Sequence, residues 1–180
     1  MKKIKIYGIG GQGVVTASKL ICSLACIYEN KYAKIIPAYG HERRGAPVSS
    51  DVYIDEKPIL LNTFIYEPDI VMLFDPFIKN NGIDISKGIH QDTILIVNSS
   101  ESTIFTKYSF KNIYYVDASQ LSMDRLQQDR ANIPMLGALA QAGAVGLESL
   151  VECIKDIFDR NIGKVYEGLI REAYEKTKIT

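Results

Sequence analysis

The chain has 180 residues, 47% hydrophobic and 23% charged, a balance that supports one substantial globular core. Lysine plus arginine equals aspartate plus glutamate at 21 each, so no bulk field draws the protein to nucleic acid or to an acidic membrane surface. No apolar run approaches the length of a bilayer span, Met1-Lys2-Lys3 leads into a strand rather than an apolar leader core, and a cytoplasmic protein is expected.

Lys3-Ile4-Lys5-Ile6-Tyr7 alternates polar and apolar residues and predicts a first strand. A glycine-rich turn, Gly8-Ile9-Gly10-Gly11-Gln12-Gly13, follows, and residues 12–29 then predict a long helix. Gly8, Gly10 and Gly13 fill the three positions of G-x-G-x-x-G, where missing side chains allow a tight turn, close approach of a ligand and packing of helix on strand. The helix start is suited to an anion. A second strand, residues 32–38, ends in Ile35-Ile36-Pro37-Ala38, without the acid that would hold a dinucleotide ribose. Packing alone and an anion or cofactor contact both remain open for the turn.

The charged stretch Tyr39-Gly40-His41-Glu42-Arg43-Arg44-Gly45-Ala46-Pro47 comes next. It reads either as a solvated loop or as a surface for another protein or a large cofactor, with the planar fork of Arg44 suited to a carboxylate or phosphate. Residues 48–54 and 59–61 flank the polar turn Asp55-Glu56-Lys57-Pro58 and predict a hairpin. Continuous apolar runs at 70–74, 94–97 and 113–116 predict strands buried on both faces of a parallel sheet. Residues 79–91 read as an irregular excursion. Further on, Pro134 and the small residues of 135–144 predict a core helix with Asn132 placed to cap it or to reach a partner. Leu147, Leu150, Val151, Ile154, Ile157 and Phe158 form one helical stripe, and a last helix carries Glu167 with Arg171 and Glu172 with Lys176 four residues apart. The fold class predicted is α/β, a three-layer α/β/α single domain over 1–180 with a mostly parallel, mixed sheet.

Cys22, Cys26 and Cys153 give an odd count without a disulfide framework and are read as buried structural thiols. His41 and His90 make no metal constellation. No metal ligands and no catalytic residues are predicted.

Gly10-Gly11-Gln12-Gly13-Val14, the Tyr-Gly-x-Glu-x-Arg-Gly pattern at 39–45, Arg44-Gly45-Ala46-Pro47-Val48, Tyr66-Glu67-Pro68-Asp69-Ile70-Val71, Asp75-Pro76 and Arg130-Ala131-Asn132-Ile133-Pro134-Met135-Leu136-Gly137 occur in this order. Together they closely resemble the gamma subunit of 2-oxoacid:ferredoxin oxidoreductases, most of all the pyruvate and branched-chain types. The resemblance implies a non-catalytic subunit, inactive alone, that works with alpha, beta and delta subunits to convert a 2-oxoacid to acyl-CoA and passes electrons to ferredoxin. Thiamine diphosphate, magnesium and iron-sulfur clusters are then expected on the other subunits, while Gly10, Gly11, Gln12, Gly13, Glu42 and Arg44 are the candidates here for contact with coenzyme A. A gamma subunit for 2-oxoisovalerate, 2-oxoglutarate or indolepyruvate, and a free-standing nucleotide- or anion-binding module of the same fold, are the alternatives.

Overall fold

A computed structural model describes residues 1–38 and 45–180. Seven strands form one sheet: β1 (Lys2–Ile9), β2 (Tyr32–Ala38), β3 (Pro47–Asp55), β4 (Ile70–Leu73), β5 (Ile94–Asn98), β6 (Ile113–Val116) and β7 (Lys178–Ile179). Their order across the sheet is β2-β3-β1-β4-β5-β6-β7. β1, β4, β5 and β6 run parallel, β3 runs antiparallel to both β1 and β2, and β7 closes the far edge antiparallel to β6. The mixed sheet is as expected, although the expectation rested on continuous apolar runs together with a hairpin of residues 48–54 and 59–61.

The predicted hairpin takes another form. β3 pairs antiparallel with β2 instead, with Ala38 opposite Ser49 and Tyr32 opposite Asp55. Residues 59–61 make no strand. The chain after β3 is instead drawn across the sheet: the Tyr53 hydroxyl donates to the Thr63 carbonyl at 3.0 Å and the Ile65 amide donates to the Asp51 carboxylate at 2.6 Å. Side-chain bonds to passing backbone have replaced a strand ladder.

The described residues hold five α-helices, α1 (Val14–Ser23), α2 (Ala118–Leu126), α3 (Pro134–Gln141), α4 (Leu147–Ile157) and α5 (Arg160–Lys176), and all but α2 follow the pattern of the sequence. The long first helix changes character at Leu24, where Leu24–Tyr28 adopts the wider π-helical turn and brings the Tyr28 hydroxyl within 2.7 Å of the Asp156 carboxylate as its donor. α2 had no clear sequence signal, because its apolar stripe is short. Its start is fixed by Asp117, which accepts from the Gln120 amide.

Side chains alternate between two cores, as the period of a strand requires. Ile4, Ile6, Val52, Met72, Phe74 and Ile96 pack against all five helices, whereas Tyr7, Val71, Leu73, Leu95, Val97 and Ile113 face a layer of coil and short 3₁₀ turns contributed by residues 78–110. α3 is buried on every side. Gly137 explains how it fits: a side chain there would meet the Ile170 carbonyl of α5, so only a bare backbone lets the two helices approach this closely. The anticipated i,i+4 pairs on α5 both form, Glu167 with Arg171 at 3.1 Å and Glu172 with Lys176 at 2.7 Å. The three thiols divide: Cys153 is buried and Cys22 half-buried, with burial pushing both up to about 11, while Cys26 is exposed, against the expectation of burial. The π-helical turn carries it outward.

Candidate functional site

The carboxyl ends of β1, β4, β5 and β6 lie along one edge of the sheet, the edge at which open α/β folds bind ligands. β1 delivers the glycine turn there. The Gln12 amide closes the turn on the Ile9 carbonyl at 3.0 Å, and its side-chain oxygen accepts from the Ile9 amide at 2.7 Å. Gln12 therefore supports the backbone with its oxygen. Gly11 (φ 103°) and Gly13 (φ 77°) both occupy left-handed backbone that glycine alone takes cheaply, yet their surroundings differ. Around Gly11 a side chain would meet nothing, whereas at Gly13 it would lie 2.7 Å from the Asn132 amide nitrogen. Gly8 serves packing, since a side chain there would collide with Val14 and the Gln12 oxygen.

Two backbone bonds tie the charged loop to this turn. The Gly10 amide donates to the Ala46 carbonyl at 2.8 Å and the Gly45 amide donates to the Gly10 carbonyl at 3.4 Å. Glu42 and Arg44 themselves lie outside the described residues, but the chain on either side of them, Ala38 and Gly45, ends at the same edge as the turn.

Asn132 does not cap α3. The residue at that helix start is Ile133, with no side-chain bond to the first turn, and Asn132 packs instead on Gly13. The start of α1 also has no side-chain cap and no acid in its first turn. Thus two helix starts, both without a capping side chain or an acidic neighbour in the first turn, meet at the Gly13–Asn132 contact. α3 satisfies its first amides locally, with Pro134 lacking one and Met135 and Leu136 donating to the Ala131 and Ile133 carbonyls at 3.0 and 3.1 Å, so the start of α1 is the one that presents amide donors and partial positive charge there. The loop that carries Asn132 is held by a network the sequence reading missed. Asn98, at the end of β5, donates to the Phe74 carbonyl at 2.9 Å and the Ser119 hydroxyl at 3.0 Å, and Ser119 donates in turn to Asp129 at 3.0 Å. Buried Ser122 adds a bond from the Arg130 amide at 2.6 Å. A polar Asn closing an apolar strand was the available signal. Arg130 points the other way, its guanidinium donating to the Tyr166 hydroxyl at 3.2 Å, so within one sequence motif it anchors α5 while Asn132 shapes the turn.

Chemically, this edge presents an uncapped helix start at α1 and excludes bulk near Gly13. Among the described residues no three His, Cys, Asp or Glu side chains come together in a way that could hold a metal, and no helix is long and apolar enough to cross a membrane.

A mixed α/β sheet with a glycine turn and two helix starts at its carboxyl edge defines a single α/β domain. The sequence matches the pyruvate ferredoxin/flavodoxin oxidoreductase family over residues 3–173, and the chain belongs to that family. It is 41% identical to the pyruvate/ketoisovalerate oxidoreductases common subunit gamma of Pyrococcus abyssi, covering 99% of this chain and 98% of that one. The crystal structure of the pyruvate oxidoreductase subunit PORC of Thermotoga maritima superposes with a TM-score of 0.86 at 29% identity, over 99% of this chain and 98% of that one. The 2-oxoglutarate:ferredoxin oxidoreductase of Magnetococcus marinus, solved with 2-oxoglutarate, coenzyme A and succinyl-CoA bound, shares the fold with a TM-score of 0.71 at 20% identity. There the fold covers 97% of this chain but 30% of the longer one.

Proposed function

We propose that this protein, over residues 1–180 as one gamma-type domain, is the gamma subunit of a multi-subunit pyruvate:ferredoxin oxidoreductase in the cytoplasm. The end-to-end match to the common gamma subunit of Pyrococcus abyssi carries the reading. Its companions are alpha, beta and delta subunits, which hold thiamine diphosphate, magnesium and iron-sulfur clusters. The assembly converts pyruvate and coenzyme A to acetyl-CoA and carbon dioxide, with two electrons passed to ferredoxin.

Coenzyme A supplies the thiol that accepts the acyl group. This chain's part is to hold the anionic end of that molecule: the Gly10–Gly13 turn, with open space at Gly11, admits a phosphate, the uncapped start of α1 offers amide donors, and Arg44 provides a forked cation with Glu42 beside it in sequence. Gln12 keeps the turn in shape through Ile9. The fit rests on donors without a competing carboxylate in the first turn of α1.

The name of the Pyrococcus abyssi relative couples pyruvate with ketoisovalerate, which favours 2-oxoisovalerate as a second substrate of an assembly sharing this subunit.

Co-expression with alpha, beta and delta subunits tests the proposal. The assembly should reduce ferredoxin or methyl viologen with pyruvate and coenzyme A, and the isolated chain should be colourless and inactive. Arg44→Ala should raise the KM for coenzyme A about ten- to a hundredfold, the worth of one charge-assisted bond, with kcat preserved. Turnover by the isolated chain, or an assembly inactive with every 2-oxoacid, refutes the reading. An unchanged KM in the Arg44 variant reduces the loop to solvated surface.

A further inference from the structure

Between β3 and β4 the chain exposes large apolar side chains in close succession: Leu60 is 91% exposed, Leu61 44%, Phe64 45% and Tyr66 71%. A loose loop would fold such side chains inward, but this one is fastened. The Asp51 carboxylate, 1% exposed, accepts the Ile65 amide and is held by the Lys5 ammonium at 2.9 Å, which also donates to the Ile65 carbonyl at 2.9 Å. Tyr53 holds the Thr63 carbonyl. The Ile65 side chain is buried as a plug. Gly88 lets its neighbouring coil press against the Tyr66 carbonyl, which any side chain there would strike. Polar side chains of β1 and β3 thus hold Leu60, Phe64 and Tyr66 toward solvent, and little ordering entropy is left to lose when something covers them.

We propose that residues 59–66 are the docking surface through which this chain binds a different subunit of its oxidoreductase, one whose own surface offers an apolar depression with basic side chains at its two ends. This rests on the proposed function for the identity of the companion. The area is sufficient: with on the order of 200 Å² per large side chain, the exposed fractions amount to on the order of 500 Å². That lies in the upper part of the roughly 300–600 Å² of the largest patch on a typical monomer, a size that is often functional, and reaches more than half of the roughly 800 Å² that each partner contributes to a stable interface. Charge sets the rim. Asp55 and Glu56 precede the segment and Glu67 and Asp69 follow it, with Lys57 as the one cation between Asp55 and Asp69. Glu56 and Glu67 are exposed and pair with no cation among the described residues, whereas Asp55 lies 3.5 Å from the N-terminal ammonium and Asp69 3.5 Å from His90. A second copy of this chain fits less well, since two-fold pairing sets acidic ends against acidic ends. The same fold occurs as 30% of a longer polypeptide in the Magnetococcus marinus structure, consistent with surfaces that meet other domains.

The test uses the companion subunits purified as an assembly without this chain. Leu60→Asp combined with Phe64→Asp should raise the Kd for that assembly at least tenfold while leaving circular dichroism and Tm of the isolated chain unchanged, since both positions are exposed. Met123→Asp, at a position on α2 as exposed as Phe64, should leave the Kd unchanged. If the aspartate pair fails to fold, Leu60→Ala with Phe64→Ala replaces it and should still raise the Kd several-fold. Unchanged binding by the folded segment variant, with the wild type binding well, overturns the docking proposal and leaves the proposed function standing. A wild-type chain that joins none of the companion subunits overturns both. A wild-type homodimer that the segment variant dissociates assigns the surface to a second copy and also overturns the proposal.

Discussion

Gly13→Ala separates the two demands placed on the glycine turn. At φ 77° a side chain carries the strain of left-handed backbone, about 1–2 kcal/mol. The new methyl would in addition lie 2.7 Å from Nδ2, 2.8 Å from Cγ and 3.2 Å from Cβ of Asn132, and such overpacking costs about 1–3 kcal/mol. The total is about 2–5 kcal/mol, and in a chain of this size each kcal/mol lowers Tm by about 2–4 °C. Gly11→Ala shares the strain but meets open space, so it should cost only about 1–2 kcal/mol. Urea unfolding and calorimetry of the isolated chain measure both. Asn132→Gly removes the opposing side chain, and in the double variant with Gly13→Ala it should recover the overlap, giving a coupling of about 1–3 kcal/mol. Equal losses at Gly11 and Gly13, or additivity within about 0.5 kcal/mol in the cycle, would refute the close contact between Asn132 and the turn. The assembled enzyme adds a second readout: the proposed coenzyme A contact at the open side of Gly11 requires Gly11→Ala to disturb coenzyme A affinity more than its stability cost suggests.

Asp51→Ala strands the half-buried Lys5 ammonium and frees the Ile65 amide, and should destabilise by about 3–5 kcal/mol with faster proteolysis between residues 56 and 69; a loss under 1 kcal/mol in urea unfolding refutes the fastening role. Acid should weaken the ion pairs that α5 makes within itself and with α4 and α2. Arg171 holds the Glu148 carboxyl below its ordinary 4.5, Lys155 foremost does so for Glu167, and Lys176 foremost for Glu172. Depressed carboxyl values contribute stability that is fully present above 4.5 and lost as pH falls through the folded-state values, so Tm measured from pH 6 to pH 3 should fall mainly below 4.5, and Arg171→Met should flatten that fall.

The sequence by itself determined the elements whose signal is local. Strands β1, β2, β4, β5 and β6 followed from apolar alternation or continuous apolar runs, helices α4 and α5 from one stripe each, and the glycine turn from spacing, because backbone geometry projects these periods directly onto the chain. The motifs at 10–14, 39–48, 66–71 and 130–137 also carried the family. Tertiary structure decided what depends on residues distant in the chain. That β3 pairs with β2 rather than with residues 59–61 turned on Asp51 and Tyr53 gripping backbone ten or more residues later. That Asn132 packs on Gly13 instead of capping α3 turned on the meeting of two helix starts separated by more than a hundred residues. Local propensity does not encode such contacts, since the free energy that selects them comes from filling one core and satisfying its polar groups together.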